Sequence, residues 1–333
     1  MASVSNPILY TKELAIGYEN TVICEDINLA FGTNQLVCLL GQNGVGKSTL
    51  LRTLSNLQPA LNGDVFIGDY NLENWSREEL ATKLGIVTTE KITNPNMTVA
   101  ELVSLGRYPY TNWLGQLGSD DQTIVKECIS KCKIDYISNK KLGMLSDGQR
   151  QKAMIARVLA QNTNIILLDE PTAHLDLVNR AEIMNLLAEI KKDLTIIIST
   201  HELALSMRYA DQLLLMNFNA PMVCGTPEDL AISGEISKSF HEQGFEIDLN
   251  SGNVIFPPGN SKTITIQGSG SAYHWTKHAF ERIGYKITND SSTKITVSIE
   301  GASISWKLES PEHNAKGLSI ATLIDELKYL TGE

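Results

Sequence analysis

Apolar positions along the chain follow two periods. Short, nearly continuous apolar runs bounded by Gly, Asn and Asp predict buried strands. These are "ILYTKELAIGY" from Ile8, "VICEDINLAF" from Val22, "QLVCLL" from Gln35, "DVFIG" from Asp64, "NIILLD" from Asn164 and "LTIIIST" from Leu194. Between them lie helical patterns. A glycine loop and a helix are predicted over 41–57, and a helix-rich stretch from Ser76 to Cys132. Ser76 with Glu79, and Thr98 with Glu101, have the spacing of capping boxes. From Met144, "MLSDGQRQKAMIARVLAQ" passes from a loop of small residues into a helix of roughly four turns. Buried strands alternating with amphipathic helices predict an α/β fold on a parallel sheet.

The pattern changes at 251–262. "SGNVIFPPGNSK" is rich in Gly, Pro, Ser and Asn and reads as a linker. Beyond it "TITIQG", "SAYHWTKHAFERIGY", "KITVSIE", "SISWKLE" and "SIATLIDELKYL" predict a β-α-β-β-α unit. The expected organisation is a large domain over 1–250, the linker, and a small α+β accessory domain over 263–333, long enough to hold a core of its own.

Bulk properties narrow the class. The 333 residues suit two domains, and the 42% hydrophobic content supplies a sizeable core. A net charge of -10 argues against a nucleic-acid partner, which needs a basic face. No apolar run reaches the roughly 18–20 residues of a membrane span. "MASVSNPILYTKEL" lacks the charged and apolar regions of a signal peptide. Cys24, Cys38, Cys128, Cys132 and Cys224 are therefore expected to be reduced, in a cytoplasmic protein. Cys128 and Cys132 stand one helical turn apart. They read as half-buried helix residues, because no second ligand pair follows them.

Three stretches carry chemistry. "GQNGVGKST", Gly41 to Thr49, follows an apolar strand and opens a helix. Gly41, Gly44 and Gly46 let the backbone curl around phosphate oxygens, Lys47 reaches the β/γ-phosphates, and Ser48 can ligate Mg²⁺. "IILLDEP" delivers Asp169 and Glu170 at a strand end, one suited to hold Mg²⁺ and the other to act on water. "IISTHEL" places His201 just after another buried strand, where α/β sheets collect ligands. A second anion site is suggested by Ser146 and Gly148 at a helix start, although Asp147 puts a carboxylate inside it.

These motifs, with "LSDGQRQ", "LLDEPTAHLD" and "STHEL" in this order and spacing, resemble the ABC-type ATPases over roughly residues 8–230. The resemblance implies a P-loop domain with a parallel core, an antiparallel N-terminal β subdomain and a helical subdomain. It implies ATP and Mg²⁺ as ligands. Gly41, Asn43, Gly44, Gly46, Lys47, Ser48 and Thr49 would surround the phosphates, and Tyr18 would stack on adenine. Ser146, Gly148 and Gln149 would be signature residues, Asp176 the D-loop acid, and His201 the switch histidine. Two such domains would form a head-to-tail homodimer, each signature closing on the other's P-loop. On this reading Asp147 points away from phosphate and caps a helix beginning at Gly148.

"MTVAELVSLGRYPYTNWLG", from Met97, narrows the resemblance. It is similar to the segment after the Q-loop in ATPases of iron-siderophore, haem and cobalamin importers. That resemblance implies a FecCD-type permease partner, an external substrate-binding protein upstream of it, and a place on the cytoplasmic face of the cell membrane. Aromatic residues with Arg are also common interface formers. One position departs from the pattern: Thr89, followed by Glu90, stands where the Q-loop Gln is usual. Its hydroxyl can still reach Mg²⁺ or water, over a shorter distance. The competing readings are an ATPase of another importer or of an exporter, and a soluble ABC protein acting on ribosomes or nucleic acid. In the accessory domain, Gly268 and Gly270 allow a tight turn or an anion site. His274 and His278 have i,i+4 spacing but no obvious third metal ligand.

Overall fold

The computed structural model describes residues 6–19, 21–89, 94–111, 115–218, 220–241, 246–248, 253–255, 262–300, 303–311 and 313–331. The chain opens with strands β1 (Leu9–Tyr18), β2 (Thr21–Ile27) and β3 (Ala30–Phe31). Core strand β4 (Leu36–Gly41) and helix α1 (Lys47–Leu54) follow, and β5 (Asn62–Ile67) and β6 (Tyr70–Asn71) return to the first sheet. That sheet is antiparallel, in the order β2-β1-β5-β6 with β3 on β1. The expected strand from Val22 to Phe31 is broken in two. Asp26 has φ 54, and the Asn28 side chain bonds the Glu13 N–H and the Asp26 carbonyl, making a turn inside the apolar run.

Next come helix α2 (Arg77–Ala81), strand β7 (Leu84–Val87), and helices α3 (Val99–Ser104), α4 (Ser119–Lys131) and α5 (Asp147–Ala160). Strand β7 lies inside the stretch expected to be helical. Strand β8 (Ile165–Asp169), helix α6 (Leu177–Ile190), strand β9 (Thr195–Thr200), helix α7 (Leu203–Tyr209), strands β10 (Gln212–Met216) and β11 (Val223–Gly225), and helices α8 (Pro227–Ile232) and α9 (Glu235–His241) complete this part.

The core sheet runs β11-β10-β4-β9-β8-β7, parallel throughout except for β11. Its alternation is apolar on both faces. Leu36, Cys38, Leu40, Ile166, Leu168, Ile196 and Ile198 pack into a cluster with α3, α4, α5 and α6. Val37, Leu39, Ile165, Leu167, Ile197 and Leu214 pack into another with α1 and the antiparallel sheet. Strands covered on both sides read as continuous apolar runs, which is why the sequence shows no period of two there. All parallel strands present their carboxyl ends to one edge.

Within the expected linker, β13 (Asn253–Ile255) pairs with β12 (Glu246–Asp248). The second compact unit contains β14 (Thr263–Gln267), α10 (Gly270–Arg282), β15 (Lys286–Ile287), β16 (Lys294–Glu300), β17 (Ser303–Glu309), β18 (Asn314–Gly317) and α11 (Ile320–Thr331). The expected β-α-β-β-α order is thus extended by β15 and β18. The sheet order is β15-β14-β16-β17-β18. Ile264, Ile266, Phe280, Ile295, Val297, Trp306, Leu308, Leu323 and Leu327 form its core, which shares no residue with the other two clusters.

Candidate active site

Strand β4 ends at Gly41 and α1 begins at Lys47, so residues 42–46 form the connecting loop. Gly44 and Gly46 have φ of 82° and 113°, in the left-handed region. A Cβ on Gly46 would also stand 2.6 Å from the Ile23 side chain. The loop therefore needs glycine there for backbone and for space. Asn43 and Gly44 are exposed at its crest. The first N–H groups of α1 have no partner within the helix and favour an anion. Lys47 is only 6% exposed. Its Nζ donates to the Gly41 and Gln42 carbonyls at 2.9 and 3.1 Å and lies 3.6 Å from Glu170 Oε1.

Strand β8 delivers the two acids at its end, and β9 supplies Ser199 and leads into His201. Their register sets Asp169 beside Ser199. Asp169 Oδ1 accepts from Ser199 Oγ at 2.6 Å and from Ser48 Oγ at 3.0 Å. The Glu170 N–H donates to Ser199 Oγ at 2.8 Å, holding Glu170 at φ 48. Glu170 then reaches both ways: Oε1 toward Lys47, and Oε2 3.0 Å from His201 Nδ1. The structure thus brings together Lys47, Ser48, Asp169, Glu170 and His201, drawn from α1 and the ends of β8 and β9. Ser199 orders both acids, and sequence reasoning passed over it. Its signal is a hydroxyl directly after the apolar run Ile196–Ile198.

The second loop is built separately. Ser146 is the N-cap of α5: its Oγ accepts from the Gln149 N–H at 3.3 Å, and Gln149 Oε1 accepts from the Ser146 N–H at 3.2 Å. This corrects the expectation for Asp147, which occupies the first helical position rather than the cap. Its carboxylate instead accepts from Arg150 at 3.1 Å. Gln149 Nε2 donates to the Tyr136 hydroxyl at 3.3 Å. A Cβ on Gly148 would stand 2.5 Å from Asn179 Oδ1, so α5 begins hard against α6. Asp176 caps α6, accepting from the Asn179 N–H at 2.8 Å and from its side chain at 2.7 Å. These bonds, the backbone one foremost, hold the Asp176 carboxyl below the usual range. Among the described residues, no hydrogen bond or ion pair joins Ser146, Gly148 or Gln149 to the loop at 41–49.

Residues 24–173 match the ABC transporter family, and residues 261–328 match the iron ABC transporter C-terminal domain. A relative in Bacillus subtilis, the probable siderophore transport system ATP-binding protein YusV, is 38% identical over 222 residues, covering 66% of this chain and 81% of its own. The chain belongs to the ATP-binding proteins of ABC transporters. The iron(3+)-hydroxamate import ATP-binding protein FhuC of the same organism is 31% identical over 260 residues, 78% of this chain and 94% of FhuC. Among solved structures, dimeric MJ0796, a bacterial ABC transporter cassette, superposes with a TM-score of 0.54 at 26% identity. It covers 62% of this chain and 93% of the cassette.

The other anticipated positions of this ABC ATP-binding protein are distributed as follows. Tyr18, at the end of β1, is 52% exposed, and its hydroxyl accepts from Thr49 Oγ1 at 3.1 Å. Thr89 is exposed just beyond β7, at the same sheet edge as Asp169, and Glu90 lies outside the described residues. The segment from Gly106 to Tyr110 clasps the end of α5. Arg107 is buried, donating to Asp121 at 2.8 Å and to the Ala160 carbonyl at 2.9 Å, and stacks over Tyr110 at 4.0 Å. Tyr108 remains exposed. All five cysteines are free thiols. Burial pushes Cys38 up to about 12 and Cys128 to about 11, and raises Cys132 further. In the second unit Gly268 and Gly270 have φ of 147° and 64°, and a Cβ on Gly268 would meet the Val297 carbonyl at 2.5 Å. A tight turn accounts for both glycines. His274 and His278 are exposed on either side of Trp275.

Proposed function

We propose that this chain is the ATP-hydrolysing subunit of an importer for iron-siderophore cargo. The observation that carries the reading is the meeting of Lys47, Ser48, Asp169, Glu170 and His201 at the carboxyl edge of β4, β8 and β9. The hydroxyl of Ser48 and the carboxylate of Asp169 are hard oxygen donors 3.0 Å apart, a set that suits Mg²⁺ completed by phosphate oxygens and water. Bound there, the ion would neutralise phosphate charge.

The residues of the chain divide the remaining work. The loop from Gly41 to Thr49, with Asn43, Gly44 and Gly46, wraps the phosphates, and Tyr18 stacks on adenine. Lys47 and His201 stabilise charge on the γ-phosphate. Glu170 orients the attacking water and takes its proton. Ser146, Gly148 and Gln149 act on the nucleotide of a second copy, with Asp176 at the join, so that ATP holds a head-to-tail homodimer together. Thr89 takes the Q-loop position through its hydroxyl. The siderophore and iron-hydroxamate relatives support the cargo class, as does the match of residues 261–328. The stretch "GRYPYTNWLG" from Gly106, where Tyr108 stays exposed, is the docking face for a FecCD-type permease fed by an external binding protein. These partners place the chain on the cytoplasmic face of the membrane. No helix among the described residues is long and apolar enough to span it. Residues 1–250 form the ATPase domain and 263–333 an accessory domain.

Substitution Glu170→Gln tests the assignment. It should leave ATP binding intact, lower kcat by at least about 100-fold, and trap a dimer seen by size-exclusion chromatography with ATP. Hydrolysis at the unsubstituted rate would overturn it.

A further inference from the structure

Arg180 closes the first turn of α6, outside the loops that surround the phosphates. Its Nε donates to the Leu175 carbonyl at 2.7 Å, one residue before Asp176. Its Nη1 donates to Glu202 Oε1. The same carboxylate oxygen lies 3.3 Å from His201 Nε2, while His201 Nδ1 faces Glu170 at 3.0 Å. The switch histidine is therefore held between two acids, one on each ring nitrogen.

The two contacts have opposite consequences. A neutral imidazole has one N–H to give and cannot satisfy both carboxylates. The contact with Glu170 joins His201 to the acid beside the attacking water. The approach of Glu202, 3.3 Å from Nε2, competes for the nitrogen left to reach phosphate. Glu202 is only 18% exposed, so without a cation it would seek the nearest donor, and that donor is His201. A guanidinium bonded to the same oxygen makes it a poorer acceptor for a second group.

We propose that Arg180 is a positioning residue for His201, engaging Glu202 so that His201 Nε2 is left for the γ-phosphate. The role rests on the ATPase reading above. The bond to Leu175 gives the guanidinium a fixed post on the backbone of the loop that carries Asp176. Displacement of that loop by a partner subunit would move Arg180 and so alter the hold of Glu202 on the histidine.

Steady-state ATPase kinetics on the full chain test this with Arg180→Ala, Glu202→Ala and the pair. Arg180→Ala should lower kcat roughly tenfold, a loss of one charge-assisted contact in the transition state, with KM for ATP within about twofold. Glu202→Ala in the same chain removes the competitor, so the double variant should recover to within about threefold of the unsubstituted rate. Arg180→Lys, which keeps charge but loses the fork, should fall between, and it serves if the alanine variant does not fold. A double variant no faster than Arg180→Ala overturns the proposal, as does a normal kcat in Arg180→Ala. Turnover by the unsubstituted chain that Glu170→Gln abolishes secures the ATPase reading independently. Once that is secured, a normal kcat for Arg180→Ala in the otherwise unsubstituted chain removes the positioning role alone.

Discussion

Single atoms decide how the starts of α5 and α6 meet. Gly148 has room for no side chain, because Asn179 Oδ1, Cγ and Cβ lie 2.5, 2.8 and 3.4 Å from where a Cβ would stand. Asn179 cannot simply swing aside, since its side chain donates to Asp176. Gly148→Ala should therefore break that bond and lift α5 off α6. ATP binding by the isolated subunit should persist, ATP-dependent dimerisation should weaken roughly tenfold, about the worth of one hydrogen bond to a charged group, and Asn179→Ala should restore much of it. Analytical ultracentrifugation with ATP measures this, and unchanged dimerisation in Gly148→Ala would contradict it. At this scale the sequence pointed to the charged side chains at the sheet edge, and Lys47, Asp169, Glu170 and His201 do converge there. It was silent on residues that act through register. Ser199 orders both acids only because β8 and β9 pair with Asp169 opposite it. Glu202 and Arg180 meet only after α6 and α7 have packed.

The helix caps and the long apolar strands were found where expected, and the shortest strands were not. Both anticipated capping boxes are present: Thr98 caps α3 with Glu101, and Ser76 caps α2 with Glu79. Such caps involve four consecutive residues and need no tertiary contact. Strands β15 and β18 have two and four residues, and β7 has four. Runs that short show no period, and their pairing is dictated by neighbours far along the chain. The caps also make an acid limb. Hydrogen bonds from the Thr98 backbone and hydroxyl hold Glu101 below its ordinary value of 4.5. A carboxyl depressed by folding stabilises above its unfolded pKa, and that contribution disappears as pH falls through the folded value. Glu101→Gln should thus lower Tm at pH 7, and the gap to the unsubstituted protein should close below about pH 4.5. A gap in Tm that stays constant from pH 7 to pH 3 would show that charge plays no part in this cap.

Across the whole chain, the separation of hydrophobic clusters predicts separable stability. The cassette's two clusters and the cluster of residues 262–331 have no member in common. The smaller unit depends on a few large side chains: Phe280 is fully buried, edge-on to Tyr285 with ring centroids 5.6 Å apart. Phe280→Ala leaves a cavity and costs about 3–5 kcal/mol. A unit of roughly 70 residues rarely has more than about 3–5 kcal/mol to lose. The substitution should therefore unfold that unit at 37 °C and expose it to limited proteolysis, while the ATPase domain stays resistant. Because Lys47, Glu170 and His201 all lie in the larger unit, kcat for ATP should remain within about twofold of the unsubstituted value, about 0.4 kcal/mol of barrier. If turnover instead falls with the same temperature dependence as the proteolytic opening, the two units share one unfolding equilibrium. The smaller unit would then have to be counted as part of the catalytic machine.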